Sequence, residues 1–503
     1  MSAYSSSPPS RRRPTARLRP GPNRAAALVA SLLALACADA LAQSTPEPQP
    51  PATTTQGQGT EAVQPELKDA AAELARKQVP DDAPAVDEEA DDVGQSSVEQ
   101  GHVEMDGSFE PLTRRERIRE QRAQAFKDTK WDAQLRTYVL DRDKFDDSES
   151  SSTAIGGYIG FKTGWFRDKF AVGATAYTSQ KLYGPEDKDG AGLLQSGQNG
   201  YSVLGEAYVE YRFNDAVFFD IGRKAFNSPY INKNDTRMTP NTFELAMVQG
   251  VAGNANDGLW KFGLGYVDEI KTKTSEIFVS MSDAAGAPTE VDNGVFAGGV
   301  NYTRGPFSIG AVDYYNEDVI NIFYAETKYE HPINDSTKLR LGAQYSAQDS
   351  VGDALLTGSD FNTWQWGVKA EVAVGNALFT TAWTSNGDGA DLRSPWGGIP
   401  SYNSVQVQDF NRAGEDSFML RAGYDFRKVP GLSVYGLWVN GSQPDNPEQS
   451  EQDEYDLNLQ WAAKQGTFKG LSVRLRYAVV TQEIGGPDLQ DFRLIINYDP
   501  PSL

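Results

Sequence analysis

Two arginines set two residues apart, Arg474 and Arg476 in the stretch LSVRLRYA, carry the most directed chemistry in this 503-residue sequence. Side chains of an extended chain alternate between faces, so both guanidinium groups point one way while Leu471, Val473, Leu475 and Tyr477 point the other. A guanidinium presents a planar fork of donors that matches a carboxylate, and it stays charged across the physiological pH range. A row of such groups offers an anion successive partners, each able to replace part of its hydration. Lys369, Arg421 and Arg340 lie in comparable stretches, where each either extends the row or pairs with Asp425, Glu371 or Glu206 and stiffens the wall.

Covalent and metal chemistry have far less to work with. The chain holds 1 Cys and 2 His, His102 and His331, which excludes a disulfide framework and leaves no histidine cluster for zinc. A hydrolase or acyltransferase would need a base beside a serine nucleophile, and only His331 is at hand, next to Pro332 in a short turn. The stretch Asp187-Lys188-Asp189-Gly190 opens like a calcium loop but lacks the downstream glutamate, and reads as a solvated loop. No catalytic residue, metal site or cofactor is therefore expected. A formal charge of -22 sets nucleic acid aside as a partner, since binding there rests on neutralising phosphates with Lys and Arg.

The elements that must position the arginines are strands. From Trp131 to Tyr498 the dominant period is two. Trp260, Phe262, Leu264 and Tyr266 alternate with Lys261, Gly263 and Gly265. Trp364, Trp366, Val368, Ala370 and Val372 alternate with Gln365, Gly367, Lys369 and Glu371, and Tyr455, Leu457, Leu459 and Trp461 with Asp456, Asn458 and Gln460. A soluble sandwich alternates in the same way, so the links between strands decide. Short links fall near 166–169, 214–215, 253–257, 304–305, 330–336, 374–376, 427–431 and 464–469. Longer links rich in Gly, Asp and Ser fall at 143–152, 181–200, 224–242, 268–293, 346–360, 385–415, 441–452 and 482–489, with 316–318 an exception to the alternation.

Tight turns on one rim and long loops on the other are the plan of an all-β transmembrane antiparallel barrel, here of about 18 strands, and aromatics at the ends of the apolar faces supply its interfacial girdles. A mean hydropathy of -0.52 and the absence of an apolar run of ~18 residues beyond the N-terminus exclude a helical membrane protein but not a barrel, whose strands are only half apolar. An unpaired backbone group in hydrocarbon costs several kcal/mol, so the sheet must close. At this strand number side chains alone do not fill the interior. A solute passes through it, or a loop narrows it.

The N-terminal quarter has a different composition. Six arginines between Arg11 and Arg24 precede the apolar stretch Ala25–Ala38 and a small-x-small pattern at Ala40-Leu41-Ala42, which marks residues 1–42 as a signal peptide. The alternatives are weaker: the apolar stretch is too short for a membrane anchor and is interrupted by Asp39, and Cys37 has Ala34 where a lipoprotein box wants Leu. Residues 43–110 are rich in Pro, Gln, Thr, Asp and Glu, as expected for an acidic disordered tether. Residues 111–130 are expected to form a short basic helix opened by a Thr113/Glu116 capping box and carrying Arg114, Arg115, Arg117, Arg119 and Arg122. That helix either binds something anionic or serves as a solvated spacer before a barrel spanning 131–503.

From about Leu135 to Tyr498 the sequence resembles the OprD family of outer-membrane porins, substrate-selective channels of pseudomonads and relatives. The resemblance rests on LRTYVLDRD, NDTRMTPNTFE, SMSDAAG, SPWGGIPSY, FNRAGE, KGLSVRLRYA and FRLIINY. The tail of residues 43–110 departs from the family pattern. What the resemblance implies is an eighteen-stranded barrel, often trimeric, in the outer membrane of a Gram-negative cell. Both termini would lie in the periplasm, and lipid and lipopolysaccharide would surround the barrel. Small carboxylate-bearing solutes such as amino acids and aromatic or other organic acids would diffuse through it passively. It further implies a ladder of arginines to which Arg136, Arg474, Arg476 and Arg493 belong, an inward-folded third loop bringing Asp235, Arg237 and Asn241 to the constriction, and a second loop reaching it through Ser394, Tyr402 and Asp409. The competing functions are an outer-membrane barrel enzyme and an envelope-structural protein whose tail contacts the cell wall.

Overall fold

The computed structural model describes residues 122–500, apart from Ala255, Pro447, Glu448 and Ile484. The expected signal peptide and acidic tether lie outside the described residues. The chain runs through β1 (Lys130–Asp143), β2 (Glu149–Lys162), β3 (Phe170–Tyr183), β4 (Tyr201–Asn214), β5 (Val217–Lys224), β6 (Thr242–Asn254) and β7 (Gly258–Lys271). A two-residue β8 (Val279–Ser280) leads to β9 (Val295–Arg304), β10 (Phe307–Asn316), β11 (Ile320–Asn334), β12 (Thr337–Asp349), β13 (Asn362–Val374) and β14 (Ala377–Asn386). After a long link come β15 (Asp416–Asp425), β16 (Leu432–Ser442), β17 (Gln452–Ala462), β18 (Leu471–Gln482) and β19 (Leu489–Tyr498).

All 19 strands form one antiparallel sheet in sequence order. β1 pairs with β19 from Leu135↔Tyr498 to Asp143↔Gln490, so the sheet closes on itself and leaves no edge. β8 is an extra that adds only Glu269↔Ser280 and Ile270↔Val279 at the end of β7, while the body of β7 pairs with β9. Eighteen long strands therefore build the wall, as the spacing of turns predicts. Among the described residues no helix is long and apolar enough to cross a membrane.

The pleat sorts the side chains. Outward positions near the middle of the wall carry Ile159, Ile221, Leu264, Val300, Ile309, Val368 and Leu420, all exposed. Near the short-turn rim stand Trp131, Phe170, Phe213, Trp260, Tyr329 and Tyr498, and near the other rim Tyr183, Phe296, Trp364, Trp383 and Phe418. An apolar band bounded by two aromatic rings is what a hydrocarbon slab with two wet interfaces selects.

Several boundaries differ from the sequence reading. His331 and Pro332, expected in a short turn, lie in β11 opposite Leu339 and Lys338, because the turn closes tightly at 335–336. The 143–152 link shrinks to residues 144–148, because Ser150 and Ser152 continue β2 opposite Arg142 and Leu140. The turn is tightened by Asp146, whose carboxylate accepts from Ser148 N at 3.0 Å and Ser148 Oγ at 2.7 Å. In the expected basic helix, 122–127 are helical and β1 starts at Lys130. The arginines from Arg114 to Arg119 lie outside the described residues. The helical turn seats on the β2–β3 link, where Ala125 O accepts from Gly164 N at 2.9 Å and Phe126 meets Phe166 edge-on at 5.4 Å.

The interior is not uniformly wet, because loops fold into it and narrow it. Leu245 and Met247 of β6, Val267 and Ile270 of β7, Tyr314 of β10 and Tyr324 of β11 form a buried apolar cluster with Tyr230, Ile231, Met281, Leu392 and Trp396 from the links. Side chains that a bare barrel would expose to water are covered by inward-folded loops. Burying that surface is what holds the loops down.

The lumen constriction

The link 225–241 is shaped by its own short polar side chains, which bond backbone locally and so hold a fixed non-regular path. Asn232 Oδ1 accepts from Asn234 N at 3.1 Å, and Thr236 Oγ1 donates to Asn234 Oδ1 at 3.0 Å. Asn241 donates to Asn232 O at 3.1 Å and accepts from Lys273 N at 2.7 Å, so its amide is spent on anchoring the loop and does not face a solute. Tyr230 pins the other end, with its hydroxyl 2.5 Å from Ser346 Oγ.

Arg136 is the partner of this loop. It grips Asp235 with two parallel bonds of 2.6 and 3.0 Å and also donates to Arg237 O at 2.6 Å. The two expected groups come together, but as a clamp: Arg136 is buried and its charge is matched. Arg237 is different. Its donors go to the carbonyls of Ala191 at 3.1 Å and Thr236 at 2.9 Å, and burial together with the nearby Arg493 cation lowers it to about 10. Lys273, on the 272–278 link, converges on the same place, donating to Thr236 Oγ1 at 3.0 Å. Burial and the neighbouring Arg237 and Arg493 lower it to about 8.

The link 387–415 crosses the lumen from one wall to the other. Its first part is held by Trp396, which is fully buried and donates to Met281 O at 2.8 Å, and by a reciprocal pair in which Gly398 N donates to Asn232 Oδ1 at 2.9 Å and Asn232 Nδ2 donates to Gly398 O at 2.8 Å. Ser394 sits beside this anchor, donating to Gly397 O at 3.3 Å. The far part reaches β17–β19. Glu454 accepts from Val407 N and Gln408 N at 2.8 and 2.7 Å, Gln406 Nε2 donates to Asp491 Oδ1 at 2.7 Å, and Arg493 donates to Gln406 O at 2.9 Å. Asp409 accepts from Ser404 Oγ at 2.5 Å, opens to the lumen, and is pushed above the ordinary carboxylate range by the protein around it.

The ladder residues divide into two groups. Arg493 is buried on Asp491 at 2.5 Å, and the same carboxylate takes Arg142 at 2.6 Å, so Arg493 is part of the clamp and does not line open water. Register places Arg476 across from Arg493 and next to Asn458, on the inward face. Arg476 is buried with its Nε unpartnered, close to Asp456, whose two oxygens are likewise unpartnered among the described residues. Arg474, two residues nearer the short-turn rim, donates to Asn458 Oδ1 at 2.5 Å and approaches the Tyr435 hydroxyl at 3.5 Å. Arg421 lies 3.9 Å over the Tyr435 ring. Among the described residues none of Arg237, Lys273, Arg421, Arg474 and Arg476 holds a direct ion pair.

The neighbouring stretch of wall, two strands from Arg421 at the same level, is acidic and better matched. Glu330 takes Arg340 at 2.7 Å, and Glu371 stands 3.8 Å from Lys369. Glu326 accepts from Tyr402 at 2.9 Å, while Lys369 also lies 4.8 Å over the Tyr402 ring. Arg340 and Lys369 thus take the wall-stiffening alternative, Lys369 near Glu371 and Arg340 on Glu330, which was not among the expected partners. Sequence reasoning missed Arg142, Lys273, Asp491, Glu454 and Gln406. Arg142 and Asp491 were legible as inward positions of their strands; nothing local marked Lys273.

A closed β-barrel with an apolar outer band, aromatic girdles and a charged, loop-narrowed lumen is a membrane-spanning channel. A family model described as outer membrane porin, OprD family, matches residues 124–501, and the chain belongs to that family. It is an outer-membrane porin. Among curated proteins none matches the chain. Among solved structures, Pseudomonas aeruginosa OccK9 (OpdG) is similar at 19% identity with a TM-score of 0.66, covering 75% of this chain and 99% of its own. The P. aeruginosa OpdK structure with vanillate matches at 21% identity and a TM-score of 0.66, over 74% and 99%. A BenF-like porin from Pseudomonas fluorescens Pf-5 matches at 17% identity and a TM-score of 0.67, over 75% and 100%.

Proposed function

We propose that this porin admits small carboxylate-bearing solutes, such as amino acids and aromatic or other organic acids, by passive diffusion along Arg476, Arg474 and Arg421. The observation that carries this reading is the uneven pairing of the wall: the guanidinium groups of β15 and β18 make no ion pair, whereas the neighbouring β11–β13 stretch carries Glu330 on Arg340 and Glu371 near Lys369. A carboxylate entering this space finds Arg421 and Arg474 without an ion pair and Arg476 with an unpartnered Nε beside Asp456, and each step exchanges one set of hydrogen bonds for the next. The acidic face repels the anion toward the basic one and stays within reach of a solute's ammonium group. That OpdK has been solved with vanillate, an aromatic carboxylate, agrees with the same class of solute. On this reading both termini sit at the periplasmic rim, lipid and lipopolysaccharide meet the outer face, and copies of the chain assemble as a homotrimer.

Replacing Arg474 and Arg476 together by Gln removes the row and keeps the hydrogen-bonding volume. In planar bilayers carboxylate flux is expected to fall about tenfold, in line with charge-assisted hydrogen bonds of ~1.5–3 kcal/mol, with neutral-sugar flux little changed. Equal loss of both fluxes would place the arginines in the wall and not on the path.

A further inference from the structure

We propose that Lys273 and Arg237 form a loop-borne docking station that takes the carboxylate of a solute at the constriction, alongside the strand-borne arginines. This rests on the carboxylate reading above and assigns it a loop-borne binding site. The two cations come from different links, 272–278 and 225–241, and meet at one residue: Lys273 Nζ donates to Thr236 Oγ1 at 3.0 Å and Arg237 Nη1 donates to Thr236 O at 2.9 Å.

Neither is a loose surface group. The Lys273 backbone is fixed on both sides, its N–H on Asn241 Oδ1 at 2.7 Å and its carbonyl accepting from Tyr201 at 3.1 Å and Thr239 at 3.2 Å. Arg237 is held on Ala191 O at 3.1 Å. Yet among the described residues neither pairs with a carboxylate. Of the nearby acids Asp235 is committed to Arg136, while Asp409, which accepts from Ser404, faces Lys273 without forming an ion pair with it. Two partly desolvated like charges held together with no direct ion pair leave room for an anion, and a carboxylate with two acceptor oxygens can bridge them. Both sit on inward-folded links beside Arg493, which pairs across the ladder with Arg476, so a solute at the constriction meets them next to the strand-borne arginines.

Burial and the adjacent cations bring Lys273 down to about 8, so its charge is present below that pH and lost as pH rises through it. The charged groups facing it are Arg237 and Asp235 from the 225–241 link, Asp409 from the 387–415 link and Arg493 from β19. The anion-over-cation permeability ratio, read from the reversal potential in a salt gradient across a planar bilayer, is expected to drop roughly fivefold between about pH 7 and 9, the scale of two unit charges about 4 Å apart in water. Lys273→Arg keeps the charge and is expected to hold a flat profile; Lys273→Gln is expected to show the lower ratio at both pH values. Heat-modifiable gel mobility establishes that each variant is folded. An unchanged ratio in folded Lys273→Gln, with wild type anion-selective, overturns the station and leaves the arginine path standing. A wild-type channel with no anion preference at either pH overturns both.

Discussion

Trp396→Ala is expected to raise single-channel conductance severalfold and to expose the 387–415 link to protease while the barrel stays closed. Trp396 is fully buried inside the lumen, packed in a cluster that includes Tyr230, Ile231, Met281 and Leu392, and it is bonded to the carbonyl of Met281. Those partners belong to three different links, so one side chain ties together the three segments that fill one side of the barrel. Truncating a buried Trp to Ala costs about 3–5 kcal/mol. Here that loss falls on the docking of loops onto the wall and not on the strand ladder, whose backbone hydrogen bonds are untouched. The conformational entropy of ordering the links then wins. A variant that melts at a lower temperature with unchanged conductance would show that the loops are held elsewhere.

Asp491→Asn is expected to lower the melting temperature in detergent and raise anion selectivity together. Asp491 is fully buried and accepts from Arg142 at 2.6 Å, Arg493 at 2.5 Å and Gln406 at 2.7 Å. Removing its charge leaves two guanidinium groups without their common counterion, which costs about 3–5 kcal/mol for a buried pair. The amide still accepts from Gln406, so the loop contact is weakened and not abolished. The lumen becomes more positive by one charge, and reversal potentials in a salt gradient are expected to move toward the anion. Unchanged melting together with unchanged selectivity would mean that Arg142 and Arg493 find equal partners elsewhere and that the clamp carries no weight.

The wall of this molecule was readable because a barrel in lipid writes its constraints locally. Each strand must alternate, each short turn must punctuate, and Trp364, Trp366 and Val368 against Gln365, Gly367 and Lys369 satisfy both rules within a few residues. The serine run at 150–152 misled because serine is a loop former by propensity, whereas here Ser152 sits on the inward face and donates to buried Gln198 at 2.5 Å. The apolar half of the lumen was not legible for a related reason. Leu245 and Met247 look like any inward residues until the links that cover them are placed, and that is a contact between segments far apart in sequence. Spacing identified the inward arginines and could not say which were already neutralised. Arg493 and Arg474 have the same signature in sequence; only the fold gives Asp491 to the first and leaves the second without a counterion.

The most direct test compares a carboxylic acid with its carboxamide, a neutral solute of nearly the same shape, for uptake into liposomes holding the purified wild-type channel. Faster uptake of the carboxylate by about tenfold or more is expected, since a bidentate guanidinium–carboxylate contact is stronger than the same contact to a neutral amide and several act in succession. Equal rates for the pair would mean that the pore selects by size alone, and that its arginines serve only to hold the wall and loops in place.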